Sequence, residues 1–136
     1  MAYRGWRRNG TKYNAHKVTI DGITFDSKHE AERYCQLKLL QRAGQISNLE
    51  LQKEFVLIPN QYRTEERYGK NGRRLKDKQI LLEQKVVYRA DFCYTDNETG
   101  EQVVEDAKSE ITMINKGYVI KRKLMLYVYG IAIQEV

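Results

Sequence analysis

Proline is almost missing from this chain, with 1 residue in 136, and no apolar run approaches the ~20 residues that a membrane-spanning helix needs. The opening residues MAYRGWRRNG carry charge with no apolar stretch behind them, so no secretory signal is expected. Cysteine is scarce. Cys35 and Cys93 have no metal-ligand spacing and read as reduced core thiols of a cytoplasmic protein. Repeats and low-complexity linkers are absent, so residues 1–136 are expected to form one domain. Hydrophobic residues make up 41% and aromatics 10%, too much apolar content for a disordered chain.

Charge is what the chain has in excess. Lys and Arg number 24 against 18 Asp and Glu, a net +6, with a pI near 9.3. Such a balance points to a polyanionic partner. The excess is clustered. Residues 1–16 read as a flexible basic arm in which Arg4, Arg7, Arg8 and Lys12 alternate with Tyr3, Trp6 and Tyr13. Residues 60–79 read as a long basic loop with no apolar period, broken by Gly69 and Gly72 and carrying Arg73 and Arg74. Basic side chains neutralise phosphates and aromatics stack on unpaired bases, so both segments are candidate nucleic-acid contacts.

The rest divides into recognisable elements. Asp21–Gly22 between two β-branched runs predicts a two-residue hairpin. Ser27 followed by Glu30 is a capping-box pattern and predicts a helix to about Ala43, ended by Gly44. Ile46–Leu51 and Glu54–Pro59 read as two short strands, Lys116–Tyr129 as a helix stopped by Gly130, and Ile131–Val136 as a last strand. This order predicts an α/β domain with a central mixed sheet flanked by helices.

The most informative stretch is QKVVYRADFCYTDNETGEQVVEDAKS, Gln84 to Ser109. Two strand-like runs flank the turn residues TDNETG. Alternation puts Tyr88, Ala90, Phe92 and Tyr94 on one face and Asp91 on the other. A hairpin centred between Glu98 and Thr99 sets Asp91 directly across from Asp106. Opposed carboxylates repel, and a divalent cation beside Lys108 would resolve that conflict. The acid-x-Lys triplet alone says little, because it recurs at Asp26–Lys28 and Glu83–Lys85, and a solvated sheet face with an ordinary salt bridge accounts for it equally well. Glu30 likewise has two roles open to it: a helix cap, or a carboxylate reaching a metal held by the sheet.

Four blocks in order carry a resemblance: FDSKHEAERY from Phe25, YRADF from Tyr88, VVEDAK from Val103 and YVIKRKL from Tyr118. With Glu30 on a first helix, Asp91 on a middle strand and Asp106-Ala107-Lys108 on the next, the chain resembles the PD-(D/E)XK nuclease superfamily. Along most of its length it is similar to a phage-encoded family of small proteins within it. Ala90 stands where the superfamily's name has Pro, the acid before x-Lys is Asp106, and Ser109 follows the lysine where the phage family has Gly. The resemblance implies an αβββαβ, restriction-endonuclease-like core. It implies one or two Mg²⁺ or Mn²⁺ ions on Asp91, Asp106 and the Ala107 carbonyl, with Glu30 completing the site. Lys108 would serve the attacking water, and Lys121 and Lys123 would hold the neighbouring phosphates. The activity implied is a metal-dependent DNA endonuclease of phage recombination or DNA processing. Its small basic members include homodimeric enzymes that resolve Holliday junctions, and the place of action is the host cytoplasm. Two other readings stand beside it: a DNA-binding module that does not cleave, and a structural phage protein.

Overall fold

The computed structural model describes residues 16–107 and 114–136. The elements run β1 (Val18–Ile20), β2 (Ile23–Phe25), α1 (Lys28–Arg42), β3 (Ile46–Ile58), β4 (Gln61–Tyr68), β5 (Arg74–Glu83), β6 (Val86–Asp96), β7 (Gln102–Asp106), α2 (Lys116–Tyr129) and β8 (Gln134–Glu135). Four strands form the central sheet in the order β3-β6-β7-β8. The first three are antiparallel and β8 lies parallel to β7, so the sheet is mixed, as expected.

Local chemistry explains most of the boundaries. Asp21 and Gly22 both take positive φ, 53° and 75°, the conformation a tight two-residue hairpin requires, and pair Val18 with Phe25. Ser27 starts α1, its hydroxyl accepting from the Glu30 N–H at 3.1 Å. Asn115 caps α2 by accepting from the Gly117 and Tyr118 amides. Gly130 ends that helix at φ 69°.

The core lies in two layers, one on each face of the sheet. Ala31, Tyr34 and Leu37 of α1 pack with Phe25, Ile46, Phe92 and Tyr94 on one face. Tyr118 and Met125 of α2 pack with Phe55, Leu57, Tyr88, Ala90, Cys93 and Val104 on the other.

Five expectations need correction. Tyr88, Ala90, Phe92 and Tyr94 do not share a face: the first two lie under α2 and the last two under α1. The alternation breaks at Asp91. The neighbouring strand breaks at the same level, since Leu49 and Leu51 pack toward α1 while Phe55 and Leu57 pack toward α2, with Gln52 between them at φ 52°. A left-handed residue is what lets β3 change faces there. The two short strands expected over residues 46–59 are therefore one bent strand.

Residues 60–79 are no loop. They belong to the antiparallel ribbon β4–β5, whose Tyr62 pairs with Leu81 and Tyr68 with Arg74. Nearly every side chain on it is exposed, so it has no apolar face and gives no strand periodicity. The last strand is only Gln134–Glu135, and Cys35 is exposed rather than in the core. Among the described residues no helix is long and apolar enough to cross a membrane. The expected arm, with Arg4, Arg7, Arg8 and Lys12, lies outside the described residues, as does Lys108.

Candidate active site

Folding removes four acids from water: Glu30, Asp91, Glu105 and Asp106. A buried carboxylate is costly unless it is hydrogen-bonded or paired, so each one needs an account.

Glu105 has a structural one. Arg33 of α1 clasps it with two hydrogen bonds, Nε to Oε1 at 2.6 Å and Nη2 to Oε2 at 2.8 Å, and the Tyr94 hydroxyl donates to Oε2 as well. That fork is the strongest geometry an arginine offers a carboxylate. The hydrogen bond it donates to Glu105 raises the Arg33 pKa despite partial desolvation. Burial first, and then Glu105, pushes the Tyr94 hydroxyl well above the usual tyrosine range, so it stays a donor.

Two of the other three acids, Glu30 and Asp91, meet where the strands change face, and Asp106 lies on the strand beside them. The β6–β7 ladder pairs Cys93 with Val104 and Phe92 with Glu105, the register expected for a hairpin centred between Glu98 and Thr99. One step further, Asp91 and Asp106 stand on adjacent antiparallel strands. There the ladder ends and a side chain takes over: Asp91 Oδ2 accepts from the Ala107 amide at 2.9 Å. Its other oxygen accepts from Gln52 Nε2 at 3.2 Å, and the same nitrogen lies 3.4 Å from Glu30 Oε1. One amide thus holds a carboxylate of α1 and a carboxylate of β6 together.

Asp106 faces α2. The Tyr88 hydroxyl donates to its Oδ2 at 2.7 Å. Burial chiefly, then Asp106, raise the Tyr88 pKa far above its ordinary value, and the charge of Asp91 adds to this. The tyrosine is therefore a fixed donor near both aspartates. Asp106 lines a cleft of about 350 Å³ with Tyr88, Tyr118, Lys121 and the start of α2 at Asn115.

Glu30 was open to two readings, and both groups of the residue are used. Its N–H serves the helix cap, while its carboxylate turns inward to Gln52. Of the expected phosphate contacts, Lys121 borders the cleft of Asp106, Lys123 is exposed on α2, and Arg73 and Arg74 stand at the far end of the β4–β5 ribbon. Sequence reasoning missed Gln52, because a glutamine among alternating leucines looks like any outward-facing polar residue. It also took Tyr88 for plain core.

The donors available to a divalent ion here are carboxylate and carbonyl oxygens, the set that hard cations such as Mg²⁺ prefer. Glu30 and Asp91 already converge on one nitrogen. Among the described residues no three His, Cys, Asp or Glu side chains stand at metal-ligand spacing.

The amide bridge can be tested alone. Gln52→Leu keeps the bulk and removes the donor shared by two buried carboxylates. Hydrogen bonds to charged groups contribute about 1.5–3 kcal/mol. A loss of that size in urea unfolding without divalent ions is the expected outcome; a loss below about 0.5 kcal/mol would show that the bridge adds nothing.

No curated protein and no solved structure matches the chain. A family model does, over residues 10–133, from just before the described part to the start of β8, and so the chain belongs to the DUF1064 family, whose description is a protein of unknown function.

Proposed function

We propose that this protein is a metal-dependent DNA endonuclease of the PD-(D/E)XK type. One observation carries the reading: Glu30, Asp91 and Asp106 come from three separate elements and are buried at the open end of the β6–β7 ladder, beside a cleft edged by Lys121. Burying three acids there is costly, and a divalent ion would offset that cost. The order α1–β3–β6–β7–α2–β8, with the two hairpins set aside, agrees with the αβββαβ core that such nucleases share.

Asp91, Asp106 and the Ala107 carbonyl would hold Mg²⁺ or Mn²⁺, with Glu30 joining directly or through water. Bound there, the ion supplies a water of lowered pKa and positive charge against the phosphate oxygens. The chain's own residues supply the rest. The Ala107 amide and Gln52 fix the Asp91 carboxylate, and Gln52 also orients Glu30. Tyr88 stays protonated and holds Asp106. Lys121 attracts the phosphate into the cleft, and Lys108, next along the chain from Ala107, orients the attacking water. The product is a cut phosphodiester bond.

The test is a panel of labelled linear, flapped, forked and four-way DNAs with Mg²⁺ or Mn²⁺, against EDTA. Metal-dependent cleavage of any of them supports the reading. Preference for the four-way substrate by a two-copy species would assign junction resolution. Intact DNA throughout would leave a binding module that does not cleave.

Glu30 gives a sharper version. Glutamine keeps the N–H that serves the helix cap and an oxygen that can accept from Gln52. Glu30→Gln should therefore fold with an unchanged melting temperature and lose most of its cleavage. Activity near wild type would return Glu30 to the helix cap alone.

A further inference from the structure

Most of the chain packs on the central sheet, but β4 and β5 do not. Their 8 and 10 residues pair with each other, and only two of those positions are even partly buried. A lone two-stranded ribbon is marginal in water, and natural proteins seldom project one without a use. At about 3.4 Å per residue this one extends roughly 25 Å. Its tip turns at Gly72, φ 72°, closed by the Gly69 amide donating to the Arg73 carbonyl at 2.8 Å.

Charge is concentrated on it. Between Arg63 and Lys78 stand seven basic residues and three acids, a net +4 from 7 − 3. Ion pairs engage Arg63 with Glu65, and Arg74 with Glu66 and Asp77. Among the described residues no acid lies within ion-pair range of Arg67, Lys70, Arg73, Lys76 or Lys78. Exposed basic side chains at this density repel one another unless a polyanion joins them.

We infer that the β4–β5 ribbon is a groove-reading arm that lies in the major groove of B-form DNA. The dimensions select the groove. Two strands about 4.8 Å apart, with side chains on both faces, match a channel ~12 Å wide and ~8.5 Å deep; the minor groove, at ~6 Å, is too narrow. The major groove of A-form RNA is too deep and narrow for side chains to read. The flat sides of the ribbon also carry groups suited to base edges. Tyr62 and Leu81, paired and exposed, offer apolar contact, while Thr64 and Gln79, bonded to each other at 3.0 Å, offer donors and acceptors. The inference rests on the reading of DNA as the partner, and it assigns the ribbon to positioning a duplex arm while chemistry stays at the acidic centre.

The experiment measures binding in EDTA, so cleavage plays no part. The intact chain and the triple variant Arg67→Ala/Arg73→Ala/Lys76→Ala are titrated onto a 30-base-pair DNA duplex over a salt series. Exposed substitutions of this kind leave folding almost unchanged, which circular dichroism verifies. Each phosphate contact contributes about 0.9 to the slope of log K against log salt, so the variant's slope should flatten by roughly 3 units. Guanine-N7 methylation, which blocks the major groove, should weaken binding of the intact chain at one short segment, and that segment should vanish from the variant's profile. An RNA duplex of the same sequence should bind both proteins alike. Equal slopes, or no effect of N7 methylation, overturn the groove-reading arm while DNA binding by the intact chain stands. Failure of the intact chain to bind any DNA overturns both the arm and the nuclease reading.

Discussion

Asp106→Asn is expected to fold, bind DNA and fail to cut it. Asparagine keeps the size of the side chain and still accepts the Tyr88 hydrogen bond, so the packing around α2 survives. One negative charge leaves a buried region where Asp91 and Asp106 both act on the Tyr88 hydroxyl, and relief of like-charge repulsion should offset the loss of a charged acceptor. DNA affinity should hold or rise, because the ribbon is untouched and one acid fewer meets the phosphates. Cleavage should fall to background, because a neutral amide is a poor ligand for a hard cation. Lys108→Ala provides the contrast. It leaves the acids in place, so divalent binding by calorimetry should persist while single-turnover cleavage drops about 10²–10⁴-fold, the range for a positioned proton-transfer or charge-stabilising group. Cleavage by Asp106→Asn at the wild-type rate would remove the nuclease site, and binding without cleavage would become the leading account.

Arg33→Met has the largest expected effect on stability. Glu105 is 0% exposed and its partner only a quarter exposed, so removing the guanidinium strands a charge inside the protein. Breaking such a pair from one side costs about 3–5 kcal/mol. The double variant Arg33→Met/Glu105→Met should recover most of that, since apolar replacement of both members of a buried pair is often close to neutral. Urea unfolding of the wild type, both single variants and the double variant closes the cycle. A loss under 1 kcal/mol for Arg33→Met would mean that water reaches Glu105 and the fork is ordinary surface chemistry. None of these substitutions touches Glu30, Asp91 or Asp106, so stability and cleavage can be followed separately.

The elements with local signals were legible from residues alone. Asp21–Gly22, the Ser27 cap, Gly44 and Gly130 each act through their own backbone, and the hairpin, α1 and α2 lie where those residues put them. The β6–β7 register followed from the length of its turn. What stayed hidden depends on distant partners. In LELQKEFVL the residues Leu49, Leu51, Phe55 and Leu57 all fall in one alternating phase, with Lys53 at its middle position, yet the strand changes face between Leu51 and Phe55. Tyr88 to Tyr94 conceals the same change. Only the polar residues at the break, Gln52 with Lys53 and Asp91, hint at it, and a polar residue in an apolar run has many simpler explanations. The β4–β5 ribbon was illegible for the opposite reason. A strand exposed on both sides carries no apolar period, and its glycines resemble those of a loop.

The adjoining acids of β7 also decide how this strand is threaded. Slipping a strand by one residue turns every side chain over. Val103 and Val104 are the same residue, so their burial on opposite faces is blind to that slip. Glu105 and Asp106 are not interchangeable. In the native register the longer acid reaches the fork of Arg33 under α1, and the shorter one meets the Tyr88 hydroxyl under α2. Slipped one way, the strand would bring Asp106 to the arginine and Ala107 to the tyrosine; slipped the other way, it would bring Val104 to the arginine and crowd Glu105 against the tyrosine, so both fits are lost in either case. Here the proofreading of sheet alignment falls to a pair of charges, while the valines beside them would accept either answer.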